Sequence, residues 1–162
     1  CVACTIEGTR PMLAGVQGLV SPTGFGNPRR MATGFDNNRL SLILAVLEKR
    51  AGYLFSNLDT YVNVVGGLWL EEPAVDLPVA LSLISGLKDM VIPSDTMAFG
   101  EIGLTGEIRS VSNADQRVGE AARMGFTECV LPKSSLKQLT KIPEGITVTP
   151  VRNLKEALSI IV

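Results

Sequence analysis

The fold is decided by the stretch Gly66–Leu81, which reads GGLWLEEPAVDLPVAL. A short β-branched run at residues 60–65 ends at the glycine pair and is typical of a buried strand that stops in a turn. From Val75 onward, apolar residues fall on nearly every side of a helix, unlike the single apolar stripe of a surface helix. The sequence therefore predicts a central helix that is covered all round.

The start of this helix carries three carboxylates. Pro73 suits the first helical position, where its missing N–H is not needed. Glu71, Glu72 and Asp76 place negative charge near the positive end of the helix dipole. We interpret them as ordinary helix-start composition rather than as a divalent-metal site or an acid/base pair, and we expect them to repel a phosphate.

Length and composition indicate a globular chain. Its 162 residues are 46% hydrophobic, carry a net charge of −1 and include no apolar run that could span a bilayer. We expect one soluble cytoplasmic domain, residues 1–162, with no membrane association. The sequence opens without methionine at Cys1, inside an apolar alternation, and we expect it to be a domain excised from a longer protein.

The sequence contains no histidine, which excludes Ser-His-Asp and Cys-His catalysis and most zinc sites within it. Cys1 and Cys4 have the spacing of a metal-binding pair. They lie in a predicted strand, however, where residues three apart face opposite sides, and no second pair follows. We predict no metal site and expect reduced, partly buried cysteines.

Strands come first in the chain, and strands alternate with helices afterwards. This order predicts a mixed α/β fold with N-terminal antiparallel hairpins and later βαβ units. The predicted elements are a hairpin over 1–20, a short strand at 31–35, a helix capped by Asn37 or Asn38 that ends before Gly52, a strand at 60–65, the central helix to residues 88–89, a hairpin over 97–108, a helix at 113–124, strands at 129–131 and 146–149, a short helix at 134–139, and a last helix that Asn153 caps.

Further motifs carry a family resemblance. They are FGNPRR at Phe25–Arg30, DNNRL at Asp36–Leu40, LAVLEKR at Leu44–Arg50 and FGEIGLTGEIR at Phe99–Arg109. Together with the glycine pair and the EPAVD sequence that follows it, they resemble the Lon-protease fold in the version carried at the C-terminus of the RadA (also called Sms) family of bacterial DNA-repair proteins. The first three motifs are similar to that family and not to true Lon proteases. The resemblance covers essentially the whole chain.

The same resemblance locates the positions of the Lon serine–lysine dyad, and both are substituted. Ala74 stands at the serine position and Asp115 at the lysine position. A methyl group cannot attack a carbonyl, and a carboxylate cannot replace the lysine that accepts the serine proton. We therefore expect no catalytic residue in this domain. Two alternatives stay open: a serine–lysine peptidase with a displaced dyad, and a fold relative of the small-molecule kinases.

Charge is distributed unevenly along the chain. Residues 1–50 carry a net charge of +3 and the remainder −4. Arginine suits both phosphates and carboxylates, so basic side chains of the first part could contact DNA or a neighbouring subunit, or could simply be solvated. The candidates for DNA binding or subunit contact are Arg29, Arg30, Arg39, Lys49 and Arg50.

The resemblance also implies a parent protein. It implies a helicase-like ATPase that processes recombination intermediates with RecA and assembles as a hexameric ring, in which this domain provides an oligomer scaffold and a DNA contact. The sequence has no Walker phosphate loop, so ATP and Mg would bind in an upstream domain and zinc in an N-terminal finger. No cofactor is expected in this domain.

Overall fold

A computed structural model describes residues 1–161 and contains one large mixed β-sheet, a small β-ribbon and four α-helices. The strands are β1 Val2–Glu7, β2 Arg10–Pro22, β3 Arg30–Thr33, β4 Leu58–Val64, β5 Thr96–Ala98, β6 Glu101–Ile102, β7 Ile108–Arg109, β8 Glu128–Pro132 and β9 Thr147–Val151. The helices are α1 Asn37–Ala51, α2 Asp76–Lys88, α3 Ala114–Arg123 and α4 Leu154–Leu158, with 3₁₀ turns at Pro73–Val75, Lys133–Gln138 and Ser159–Ile161.

The large sheet has seven strands in the order β3-β4-β2-β1-β5-β8-β9. β1, β2 and β4 pair antiparallel, whereas β3 pairs parallel with β4 at one end, and β1, β5, β8 and β9 pair parallel at the other. β6 and β7 form a separate antiparallel ribbon. The predicted mixed α/β fold, with an antiparallel start and later parallel units, is confirmed.

Helix α2 is the centre of the molecule, as its sequence predicts. Every residue from Asp76 to Ile84 is buried. The larger apolar cluster joins α1, α2 and α4 to the sheet, and a second cluster joins α3 to Cys4, Phe99 and β8. The close approach of α2 to β2 requires glycine, because a Cβ on Gly18 would lie 2.8 Å from the carbonyl oxygen of Ser82.

Helix α1 begins one residue earlier than predicted. Asp36, and not Asn37 or Asn38, is the N-cap, since its carboxylate accepts hydrogen bonds from the backbone N–H groups of Asn38 and Arg39. Asn37 instead accepts a hydrogen bond from the Ala32 N–H on β3. The predicted stop at Gly52 is confirmed, because Gly52 adopts the left-handed conformation with φ 79°.

The predicted hairpin over 97–108 is divided between two sheets. β5 ends at Ala98, and the next residues leave the large sheet to contact the start of α2 before β6 begins. Gly100 donates its N–H to the Ala74 carbonyl at 2.9 Å and accepts from the Leu77 N–H at 3.1 Å. This backbone contact fixes the β5–β6 connection against the helix start.

Among residues 1–161, no helix combines the length and the apolar character that crossing a membrane requires.

Candidate functional site

The candidate site lies where the chain enters α2 through the 3₁₀ turn Pro73–Val75. In the described part of the chain, no side chain makes a capping hydrogen bond at the N-terminus of this turn or of α2. Neighbouring backbone groups make hydrogen bonds there instead. The Leu77 N–H donates a hydrogen bond to the Gly100 carbonyl, as described above. Ala74 is 2% exposed, and its methyl group packs in the apolar cluster beneath α3.

Glu72, just before this turn, forms an ion pair with Arg117 of α3. The Arg117 Nη2 atom lies 2.7 Å from Glu72 Oε2. The other carboxylate oxygen accepts hydrogen bonds from the Thr5 hydroxyl at 2.7 Å and from the Ile6 N–H at 2.5 Å, both on β1. Glu72 therefore joins β1, α3 and the start of α2.

Arg117 is fully buried, and its other donors are also used. Its Nη1 atom donates to the Cys4 carbonyl at 2.5 Å, and its Nε atom donates to the Ser112 carbonyl at 3.0 Å. The guanidinium also lies over the Phe99 ring, 5.7 Å from its centroid. A buried charge is tolerated only when it is paired and hydrogen-bonded, and Arg117 meets both conditions.

These contacts set the charge state of Glu72. Burial alone would raise the pKa of its carboxyl group, but the hydrogen bonds from Arg117, Thr5 and Ile6 outweigh burial and lower the pKa below its ordinary value. Glu72 is therefore a carboxylate at neutral pH. These contacts give the ionised Glu72 a structural role and not the role of a proton donor.

A second ion pair is made one helical turn further along. Asp76, fully buried in the first turn of α2, pairs with Arg39 of α1, whose Nε atom donates to Asp76 Oδ1 at 2.9 Å. Asp76 Oδ2 accepts from Arg39 Nη2 and from the Ile102 N–H at 3.1 Å. The pair thus connects α1, α2 and β6.

The two paired acids, Glu72 and Asp76, differ in the direction of their pKa shifts. For Asp76, burial is the largest influence and raises the pKa above its ordinary value, although the bonds from Arg39 and Ile102 oppose it. The bond to Asp76 in turn raises the pKa of Arg39. Ionised Asp76 thus depends on Arg39 to remain charged in this position.

Two of the three acids at the helix start therefore do more than place negative charge near the positive end of the helix dipole. Glu72 and Asp76 each have an arginine partner from a different helix, and Glu71 is exposed. Sequence reasoning missed Arg117. The available signal was its position: Arg117 lies on the same face of α3 as the buried apolar residues Ala114, Val118 and Ala121.

Asp115, at the other position that the resemblance assigns to the dyad, lies in the first turn of α3. It is half-buried, and its Oδ2 atom accepts a hydrogen bond from the Thr140 hydroxyl at 3.0 Å. This contact ties α3 to the segment after the 3₁₀ turn Lys133–Gln138. Ala74 and Asp115 supply neither a nucleophile nor a basic amine.

A cleft of about 360 Å³ opens beside the Arg39–Asp76 pair. Trp69, which is 54% exposed, stands in its wall together with apolar and acidic side chains. The lining residues are Phe35, Asp36, Arg39, Trp69, Leu70, Glu71, Glu72, Pro73 and Asp76. Acids outnumber bases in this wall, so the cleft is unsuited to a phosphate.

The five predicted basic candidates differ in what their side chains contact. Arg29 is exposed just before β3. Arg30 donates from Nη1 to the Leu58 carbonyl and from Nη2 to the Phe55 carbonyl, both at 2.9 Å, which holds the loop before β4. Arg39 is engaged with Asp76.

Lys49 and Arg50 lie in the last turn of α1 and are exposed. Arg50 donates from Nε to the Leu104 carbonyl at 3.2 Å, next to the β6–β7 ribbon. Because a helix rises about 1.5 Å per residue, Arg39 and Arg50 are separated by roughly 16 Å along α1. Arg39 and the Lys49–Arg50 pair therefore lie near opposite ends of α1.

The described residues do not fit a magnesium–nucleotide site. Across residues 1–161, no group of three or more His, Cys, Asp or Glu side chains is arranged to hold a metal ion. The carboxylates of Glu72 and Asp76 at the helix start are already paired with arginines. The sequence also lacks the glycine-rich loop with lysine that cradles phosphates.

Comparison with known proteins identifies the family. The family model described as ChlI, subunit ChlI of Mg-chelatase, matches residues 30–135, about two thirds of the chain. The chain belongs to the ChlI family. The matched ChlI region runs from β3 to the 3₁₀ turn after β8 and includes all four residues of the Arg39–Asp76 and Arg117–Glu72 ion pairs.

This ChlI-family chain is also similar to curated proteins named DNA repair protein RadA. It is 52% identical to the one from Halalkalibacterium halodurans over 159 residues, which are 98% of this chain and 35% of the relative. It is 51% identical over 157 residues to those from Bacillus subtilis and Streptococcus pneumoniae, covering 97% of this chain and 34% and 37% of the relatives. The chain thus spans about a third of the length of these relatives.

Proposed function

We propose that this chain is a non-catalytic, Lon-protease-like domain of a RadA-type DNA-repair ATPase, where it serves as an oligomerisation scaffold and a DNA contact. The observation that carries the non-catalytic part of the proposal is the pair of arginine–carboxylate contacts at the start of α2. They stand where the resemblance places a protease nucleophile, and they tie the helix start to α1, α3 and β1.

The chemistry of the helix start supports the absence of peptidase activity. Ala74 has no nucleophilic atom and is buried. An acyl-transfer site also needs free hydrogen-bond donors for an oxyanion. Here the Leu77 N–H is already hydrogen-bonded to the Gly100 carbonyl. The Glu72 carboxylate would also repel the negative charge of an oxyanion. Both features support a structural role.

Similarity to the RadA proteins supports the assignment to DNA repair. These relatives are named DNA repair protein RadA, and the similarity covers nearly all of this chain. By this proposal the ATPase core, with its ATP and Mg, and a zinc finger belong to other parts of the parent. RecA is the proposed partner of that parent, and a hexameric ring is its proposed assembly.

For the DNA contact, the structure favours three of the five candidate residues. Arg29, Lys49 and Arg50 are exposed, whereas Arg30 and Arg39 use their guanidinium groups to hold the fold. Exposed basic side chains neutralise phosphates without base specificity. The proposed contact is therefore with the DNA backbone.

Incubation of the purified chain with casein and with a covalent serine probe tests the non-catalytic part of the proposal. We expect no degradation and no labelling. Ala74→Ser combined with Asp115→Lys should remain nearly inactive, because the Glu72–Arg117 pair stays in place. Specific labelling of any serine together with casein cleavage by the unsubstituted chain would instead establish a peptidase with a displaced dyad.

A further inference from the structure

A notch of about 240 Å³ lies where the turn of the β6–β7 ribbon meets α1 and α4. Its lining residues are Arg50, Thr105, Gly106, Asn153, Leu154 and Lys155. We name it the Arg50–Lys155 notch. Arg50 belongs to the last turn of α1 and Lys155 to α4, so the fold brings together two cations that are far apart in the sequence.

Close contacts hold the three elements of the notch against one another. The Leu154 N–H donates to the Gly106 carbonyl at 2.9 Å. Glu107 and Asn153 form an antiparallel β-bridge beside this contact. Gly106 also packs closely on α1, because a Cβ at its position would lie 3.0 Å from Arg50 Cβ. The notch is therefore part of the packed structure and not a gap between mobile loops.

The Arg50 guanidinium is anchored on one side and free on the other. Its Nε atom donates to the Leu104 carbonyl at 3.2 Å. Within residues 1–161, its two Nη atoms make no further hydrogen bond. A guanidinium fork binds two oxygens of a phosphate at once, and a fork that is already positioned loses less rotamer freedom on binding. Arg50 is thus prepared for an oxyanion.

The lining of the notch carries positive charge only. No carboxylate lines it within the described chain. Neither Arg50 nor Lys155 takes part in an ion pair among residues 1–161. Two cations that share one hollow repel each other, and an anion bound between them replaces that repulsion with attraction. The charge of the notch therefore favours an anionic ligand.

The acids nearest to the lining residues in sequence have partners of their own. Glu107 accepts hydrogen bonds from the Thr105 N–H at 3.1 Å and from the Thr105 hydroxyl at 2.8 Å. Glu156 pairs with Arg152, with 3.2 Å between Oε2 and Nη2. These two carboxylates are therefore satisfied without Arg50 or Lys155.

The basic surface continues beyond the notch. Lys155 also lines an adjoining hollow of about 290 Å³, together with Ala51, Tyr53, Leu158 and Ser159. The Nζ atom of Lys88, at the end of α2, lies 5.2 Å from the centroid of the Tyr53 ring. Cations from α1, α4 and α2 thus occur along one surface. Such a row suits the repeated negative charges of a nucleic-acid backbone.

We propose that the Arg50–Lys155 notch binds a phosphate group of a nucleic-acid backbone, with Lys88 as the contact of a neighbouring phosphate. The proposal rests on the proposed DNA contact and goes beyond it, because it assigns Lys155 and Lys88. Both lysines lie in the part of the chain that carries a net charge of −4, so the charge imbalance along the sequence did not indicate them. Free phosphate and a small phosphorylated molecule are the competing ligands.

The salt dependence of DNA binding tests the source of the phosphate. Lys155→Ala should reduce the slope of log affinity against log salt by about one unit, and Lys155→Ala combined with Lys88→Ala by about two. Lys141→Ala is the matched control, since it removes the same charge from an exposed lysine that lines neither hollow. Fluorescence anisotropy measures the slopes. Equal slopes for Lys155→Ala and Lys141→Ala would overturn the proposal.

Arg50→Lys separates the positioned fork from its charge. Lysine keeps the positive charge but lacks the planar fork that binds two phosphate oxygens. We expect the salt slope to stay the same and the affinity for DNA to fall about fivefold, because a bidentate charged contact is lost. Unchanged affinity would overturn the role assigned to the Arg50 guanidinium.

Titration with inorganic phosphate tests the notch without DNA. In NMR spectra of the unsubstituted chain, the Arg50 Nε–H signal and the Gly106 and Lys155 amide signals should shift with added phosphate and reach a plateau. Chloride at equal ionic strength should not shift them, and Lys155→Ala should weaken the response to phosphate. Phosphate binding together with a DNA salt slope that Lys155→Ala leaves unchanged would overturn the assignment to nucleic acid in favour of a small phosphorylated ligand.

The outcomes distinguish this proposal from the proposed function. A chain that binds DNA, and whose salt slope responds to Arg29→Ala but not to Lys155→Ala, would contradict the notch proposal alone. An unsubstituted chain that leaves DNA unbound at low salt would contradict the proposed DNA contact itself.

Discussion

Arg117, which is fully buried, and Glu72, which is partly exposed, form an ion pair, 2.7 Å between Nη2 and Oε2, that joins helix α3 to the residue preceding the first turn of the central helix. The Arg39–Asp76 pair joins α1 to the same helix one turn later. The helix start is thus held by charged contacts from two sides. Glu72 and Asp76 are thus committed to contacts that hold the fold.

Removing the Arg117 charge should destabilise the domain strongly. Arg117→Met removes the guanidinium donor from Glu72 and from the carbonyls of Cys4 and Ser112. Breaking a buried pair by removing one partner costs about 3–5 kcal/mol of unfolding free energy. Urea denaturation followed by circular dichroism measures it.

Arg123→Met is the matched control, since Arg123 pairs with Glu120 on the exposed surface of the same helix. Its effect should be much smaller, because exposed pairs contribute little. Equal destabilisation by both substitutions would show that the burial of Arg117 is unimportant.

The Glu72 contacts should make stability depend on pH. Because the folded pKa of Glu72 lies below its ordinary value of 4.5, its contribution is complete above that value and is lost as pH falls through the folded pKa. Glu72→Gln should therefore destabilise the domain most near neutral pH, and the difference from the unsubstituted chain should shrink below pH 4.5. Denaturation series at several pH values, with exposed Glu144→Gln as control, provide the measurement. A difference that grows on acidification would refute the role assigned to the Glu72 carboxylate.

The contact between Gly18 and the central helix should tolerate no side chain. In Gly18→Ala, the new methyl group would lie 2.8 Å from the Ser82 carbonyl oxygen and 3.1 Å from the Leu83 nitrogen, both backbone atoms. Overpacking of this kind costs about 1–3 kcal/mol of unfolding free energy. Gly24→Ala, where a Cβ meets nothing within 4 Å, is the control, and thermal denaturation compares the two. Unchanged stability of Gly18→Ala would mean that α2 and β2 are less closely packed than described.

The proposed DNA contact predicts a change in salt dependence. Arg29→Ala should weaken binding to unrelated DNA sequences alike and reduce the slope of log affinity against log salt by about one unit. Arg152→Ala, an exposed arginine paired with Glu156 near α4, is the control. Fluorescence anisotropy at several salt concentrations measures both. An unchanged slope combined with impaired self-association would assign Arg29 to a subunit interface.

Arg30 is unsuitable for the same test. Its guanidinium bonds the Phe55 and Leu58 carbonyls, so Arg30→Ala should loosen the loop before β4 and change folding together with any DNA contact. Sequence alone could not separate the adjacent arginines, because both lie between the same proline and strand. The structure separates them by what each guanidinium contacts.

The order of elements and the central helix could be predicted from the sequence because they depend on local periodicity. Apolar residues around all sides of α2 predict its burial, and Gly52 predicts the end of α1. The prediction that Asn37 or Asn38 caps α1 is wrong, because the N-cap is Asp36. Asp36, Asn37 and Asn38 are all good caps. Only the contact of Asn37 with β3 distinguishes them.

The ion pairs could not be predicted in the same way, because their partners are far apart in sequence. Arg117 and Glu72 are separated by 45 positions and Arg39 and Asp76 by 37. Acidic residues are favourable at a helix start even without a charged partner, so their presence there does not predict an ion pair. The assignments of Arg29, Lys49 and Arg50 to DNA or to a neighbouring subunit stay predictions.

The mass of the purified chain in solution, measured by analytical ultracentrifugation with and without DNA, tests the scaffold and DNA roles most directly. The account predicts a discrete ring-sized assembly, six copies if the resemblance holds, and DNA that sediments with it at low salt. A chain that stays monomeric at high micromolar concentration and leaves DNA unbound would contradict both roles.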